Sequence, residues 1–181
     1  EAQTLVVVED LYRPYRPKRR TRATIAKEKG LEPLANLILL QMTDKSIEEE
    51  AESYVSEEKE VKNVKEAIAG ASDILADSVA DEADYRIRIR KMTVKSGSIV
   101  SSAKKESESS VYEMYYDFEE PISKLAGHRV LALNRGEKEK ILTVKINAPE
   151  EEILSWLKRQ VIRNDNPNTT PILEAVVEDS Y

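Results

Sequence analysis

The chain has no cysteine, a single histidine and only five glycines in 181 residues. Each shortage excludes something. Without cysteine there are no disulfides and no thiolate metal ligands, which fits a reducing compartment, here taken as the cytoplasm. Five glycines cannot supply the turns that an all-β chain needs every ten residues or so. No apolar run approaches the roughly 20 residues that cross a bilayer, and the start, EAQTLVVVEDL, has neither a basic leader nor a small-residue cleavage site. The lone His128 comes with no nucleophile elbow, no glycine-rich phosphate loop and no His/Cys set at ligand spacing. Scattered carboxylates are the remaining candidate acids and bases, and nothing singles one out. The sequence is therefore expected to be no enzyme, to hold no metal or cofactor and to stay off membranes.

What is there is charge and helical periodicity. Charged residues make up 34% of the chain and hydrophobic ones 40%, which suits a folded, highly charged helical protein rather than a disordered one. The expected fold is all-α: a multihelical bundle over residues 1–181 with an irregular Pro/Arg-rich connection and little or no β structure. The chain begins at Glu1, and its last stretch, TPILEAVVEDSY, reads as a helix interrupted in mid-course, so it is read as a piece of a longer protein.

Leu5, Val8 and Tyr12 share a helical face, although the β-branched run Val6–Val8 argues locally for strand, and a short helix is expected over residues 1–12. Thr24 is read as the N-cap of a helix over Ile25–Lys29, Gly30 as its terminator, and Pro33 fits the first turn of a second helix running to Gln41. In that second helix Leu34, Leu37, Ile38 and Gln41 form one face and Leu39 and Leu40 widen it, which predicts deep burial. Val61, Val64, Ile68, Ala71, Leu75 and Val79 alternate spacings of three and four, the pattern of an amphipathic helix. Gly70 within it costs about 1 kcal/mol relative to alanine and points to close packing.

DEADYRIRIRKM is read as helix over its strand-like alternation. Residues 96–110 hold seven serines and are expected to be mobile, with at most a short helix around Ile99–Ala103. Asn147 as N-cap, Glu150 three residues on and Pro149 in the first turn announce a helix with Ile153, Leu157 and Val161 on one face. Thr170 and Pro171 open the last helix.

Against this background stands YRPYRPKRRTRATIAKEKG. Residues 13–29 carry eight Lys/Arg and one acid, so on a chain of net charge −6 the remainder carries −13. Residues 43–60 alone hold eight Asp/Glu against two Lys. Tyr12, Arg13, Tyr15, Arg16, Lys18, Arg19, Arg20 and Arg22 lie on a proline-stiffened segment where phosphate contacts and stacking on bases are both available. The alternative is that these arginines pair with acidic helices of the same chain. Both readings stay open at this point. A base-reading helix-turn-helix over residues 24–41 is disfavoured, because Pro33 enters the second helix early and that helix offers almost no polar side chains to a groove.

The run EDLYRPYRPKRRTRATIAKEKGLEPLANLI closely resembles the N-terminal region of the bacterial Tex family of transcription accessory proteins, and YYDFEEPISKL and GHRVLALNRGEKEKIL agree with it. The resemblance covers essentially the whole chain. It implies a mostly helical scaffold that in the family precedes an RNase H-like domain, helix-hairpin-helix elements and an RNA-binding domain of the oligonucleotide-binding fold. It further implies binding of RNA or DNA by the full-length protein, contact with RNA polymerase or other transcription proteins, and no activity residing in this region. GHRVLALNRGE read alone offers a strand over Val130–Leu133, but in a multihelical region His128, Arg129 and Arg135 are expected to order a helix end against a neighbour. The function expected is a non-catalytic binding scaffold. The alternative is a protein-interaction module that docks onto the transcription machinery or onto its own downstream domains.

Overall fold

The computed structural model describes residues 20–104 and 109–181. The described chain contains α1 (Arg22–Glu28), α2 (Glu32–Leu40), α3 (Ile47–Ala51), α4 (Val64–Asp81), α5 (Ala83–Ser96), β1 (Ser98–Ala103), β2 (Asp117–Pro121), α6 (Gly127–Lys138), β3 (Leu142–Asn147), α7 (Glu150–Val161) and α8 (Thr170–Ser180). They fall into two units. One runs up to Ile87 and resumes at Leu154–Tyr181; the other is Arg88–Ile153.

The first unit is helical and organised around α4, against which α1, α2, α3 and α8 pack. Thr21, not Thr24, caps α1: its hydroxyl accepts from Thr24 N at 3.2 Å, and the helix begins three residues earlier than its sequence suggests. Gly30 follows with φ 75°, the left-handed conformation that ends a helix cheaply only at glycine. Asn63 caps α4 through Glu66 N at 2.9 Å, while the Glu66 carboxylate accepts from Lys62 N at 2.9 Å. Val61, three residues before α4, is buried and bridges Ser56 instead of extending the helix. Ala67, Ala71, Ile74 and Leu75 bury the inner face of α4. Gly70 is there for want of a side chain: a Cβ would collide with Leu31 Cδ1 and come within 3.3 Å of the Ala26 methyl.

Helix α2 departs from its expected deep burial. Leu34, Ile38 and Gln41 are buried, but Leu39 and Leu40 face solvent, because a helix packed on one side can cover only one stripe.

The second unit overturns the all-α expectation. It contains a three-stranded antiparallel sheet in the order β2-β1-β3, so the chain is mixed α and β. Ser98–Ala103, expected as a mobile stretch or short helix, is the central strand: Ile99 and Val100 are β-branched, and buried Ser101 bonds through its hydroxyl to Tyr115 O at 2.7 Å. Asn147, expected as a helix cap, ends β3. The following helix begins at Glu150, with Ile153 N donating to Pro149 O at 3.0 Å. Val130–Leu133 is helical within α6 and not a strand. The register pairs Ser101 with Phe118 on one side and with Val144 on the other. The core formed there comprises Tyr112, Tyr115, Leu133 and Leu142, with Ile99, Phe118 and Val144 packed on it. Gly136 on α6 lies against Leu142 for the same steric reason as Gly70 in the helical unit, a Cβ there falling 2.5 Å from Leu142 Cδ1.

Candidate nucleic-acid interface

Of the eight residues singled out in the basic segment, Tyr12, Arg13, Tyr15, Arg16, Lys18 and Arg19 lie outside the described residues. Arg20 and Arg22 are described, on either side of the Thr21 cap. Both face carboxylates. Arg20 Nη2 donates to Glu28 Oε2 at 2.9 Å, one turn beyond the middle of α1. Arg22 reaches Asp73 Oδ1 on α4 at 3.7 Å and Asp179 Oδ2 on α8 at 3.6 Å.

The Arg22 side chain is nevertheless 74% exposed. An ion pair of that exposure contributes about 0–1 kcal/mol, weak enough for a phosphate to replace a carboxylate as the partner. Burial raises the Asp73 carboxyl above the usual aspartate range. The Arg22 guanidinium pulls it back down and the Asp179 charge pushes it further up.

Beside Arg22 runs a groove of about 860 Å³ between α1, α4 and the turn before α4. Glu57, Glu60, Glu66 and Asp73 line it together with Arg22, Lys29 and Lys62. A surface so evenly mixed does not attract a polyanion; the positive potential belongs to the segment, not the groove.

In the second unit, Arg129 takes the structural role expected of it. Its Nη1 donates to Glu120 Oε2 at 3.0 Å, and its guanidinium carbon sits 5.4 Å from the centre of the Phe118 ring. His128 and Arg135 are exposed on α6. Tyr112 is buried beneath that helix, and its phenol is raised first by burial and then by its hydrogen bond to Glu139. Among the described residues no group of three or more His, Cys, Asp or Glu could hold a metal ion, and no helix is long and apolar enough to cross a membrane.

Gln41, which its spacing placed on the buried face of α2, has a bonding role that the sequence did not assign to it. It lies buried at the end of α2 in the left-handed conformation, φ 57°. Its side chain joins the end of α7 to the loop after it: Nε2 donates to Val161 O, and Oε1 accepts from Arg163 N and Asn164 N. The signal was present, a glutamine in register with Leu34, Leu37 and Ile38 on an apolar face.

Residues 43–170 match the family model described as Tex central region-like. The chain is 51% identical to protein YdcI of Bacillus subtilis over 96% of its own length and 25% of that protein's. It is 35% identical to the transcriptional accessory protein Tex of Neisseria gonorrhoeae over 80% of this chain and 19% of the relative. With the human S1 RNA-binding domain-containing protein 1 it shares 30% identity over 85% of this chain and 16% of the relative. The chain thus spans a quarter or less of the length of these relatives. With the family model matched over well more than half its residues, the chain belongs to the Tex family.

Proposed function

We propose that this chain is a non-catalytic scaffold region of a cytoplasmic transcription accessory protein, and that its basic segment contributes to binding RNA or DNA by the longer protein. The observation that carries this reading is the segregated charge: +7 over residues 13–29 on a chain of −6, with the described end of the segment, Arg20 and Arg22, open to solvent. Support comes from relatives named for transcription and for RNA binding. The sequence offers arginine for phosphate and tyrosine for stacking, a combination suited to single strands.

Fluorescence anisotropy of labelled single-stranded RNA and DNA, titrated with the chain at several salt concentrations, tests this. Binding at low salt that weakens steeply as salt rises, and that Arg19→Ala with Arg20→Ala reduces, is the expected result. No binding at low salt removes the basic segment from the account.

A second reading, docking onto another domain of the longer protein, is favoured by a different observation. Leu40 and Met42 are 66% and 76% exposed at the end of α2, adjoining a groove of about 300 Å³ lined by Leu39, Val79, Tyr85 and Val176. Adjacent exposed apolar residues of this kind mark contact surfaces. Retention of the excised downstream domains on immobilised chain, lost in Leu40→Lys, is the expected result; no retention by the wild-type chain overturns this reading.

A further inference from the structure

The two edges of the sheet are unlike. On β2 the outer edge ends in Pro121, which has no N–H, and the strand carries Asp117, Glu119 and Glu120. Proline and a row of like charges are how natural sheets discourage an added strand. On β3 the single charge is Lys145, there is no acid, and the pairing with β1 continues without proline or bulge.

Register decides which backbone groups of β3 face outwards. Lys104 N donates to Ile141 O at 3.0 Å, so Thr143, Lys145 and Asn147 continue the bonded pairing with Ser102, Val100 and Ser98. The residues between them, Leu142, Val144 and Ile146, turn their N–H and C=O groups away from β1. Among the described residues no strand lies on that side. Ile146 sits on the same face as Leu142 and Val144, which pack in the core, yet is 62% exposed. Lys145, on the opposite face, is also exposed.

We propose that the β3 edge binds an extended acidic peptide by strand addition. Val144 and Ile146 supply the backbone hydrogen bonds, an apolar side chain of the peptide covers Ile146, and a carboxylate meets Lys145. Charge selects this occupant over a second copy of the chain, whose own β3 carries no acid to meet Lys145.

The test is a titration of the isotope-labelled 181-residue chain with a short end-blocked peptide alternating valine and glutamate, and with its lysine counterpart. The expected result is saturable binding of the acidic peptide with new exchange protection of the Val144 and Ile146 amides. Lys145→Glu, at an exposed position that leaves the fold intact, weakens that binding about tenfold and shifts preference to the lysine peptide. No saturable binding, equal affinity for both peptides, or protection of these amides by single-stranded RNA but not by peptide overturns the proposal.

Discussion

Gln41 and Val161 stand 120 positions apart and are joined by a hydrogen bond of 2.8 Å from the Gln41 side-chain amide to the Val161 carbonyl. That carbonyl belongs to the last turn of α7, where no intrahelical donor remains. The same glutamine accepts from Arg163 N at 2.9 Å and Asn164 N at 3.1 Å, and Asn166 Nδ2 returns a bond to Gln41 O at 3.2 Å. A single buried side chain thus ends one helix and orders the loop leading to α8.

Gln41→Ala leaves a buried carbonyl and two amide N–H groups without partners. Each such group costs about 1–3 kcal/mol, and with partial rescue by water the expected loss is roughly 2–4 kcal/mol. Urea denaturation checks it: the midpoint falls and the slope stays. An unchanged midpoint would show that the glutamine bonds carry no stability.

Gly70→Ala sets two effects against each other. Alanine favours an exposed helix interior by about 1 kcal/mol, but here the added methyl meets Leu31, a side chain with almost no exposure of its own. Overpacking wins, and the variant is less stable by about 1–2 kcal/mol. Adding Leu31→Val, which makes room, recovers part of the loss, so the two changes are non-additive in a double-mutant cycle.

Asp73 binds its proton more tightly when the chain is folded, since burial raises its carboxyl. Its contribution therefore favours the folded state at acidic pH and is lost as pH climbs through the folded-state value. Carbon-detected titration will show Asp73 ionising above the usual aspartate range. Arg22→Ala moves it further up, because a positive neighbour is removed; Asp179→Asn moves it down, because a negative one is. Salt diminishes both changes and leaves the burial effect in place.

Arg129 connects α6 to the sheet by two contacts at once, the Glu120 carboxylate and the face of Phe118. Arg129→Ala lowers stability by about 1–2 kcal/mol. Arg129→Lys keeps the charge but not the planar group, so it recovers only part of that loss. Full recovery by lysine would leave the Phe118 stacking without weight.

Helices with a continuous apolar stripe were legible in the sequence. Val64, Ala71 and Leu75 on α4, and Ile153, Leu157 and Val161 on α7, repeat at helical spacing, and Gly30 and Pro33 marked where α1 stops and α2 starts. The strands were not. β1 and β2 are separated by 13 residues and β2 and β3 by 20, so no short hairpin turn announces them. Ser98, Ser101 and Ser102 disguised the central strand, since the burial of Ser101 follows from a bond to Tyr115 that no local pattern contains. Exposure of Leu39 and Leu40 was hidden for a similar reason: which side of an all-apolar stretch is covered depends on elements distant in sequence. At the candidate interface, charge made Arg20 and Arg22 conspicuous, and Glu28, the partner of Arg20, lies on α1 itself; Asp73 and Asp179 come beside Arg22 only through the packing of α1, α4 and α8.

The central claim, that the basic segment touches nucleic acid, is tested most directly by locating the contact. A single-stranded RNA carrying 5-iodouridine is photocross-linked to the chain at low salt and the adducts are mapped by mass spectrometry. Adducts on Tyr12 or Tyr15 are predicted; adducts confined to residues 88–153, or none at all, contradict it.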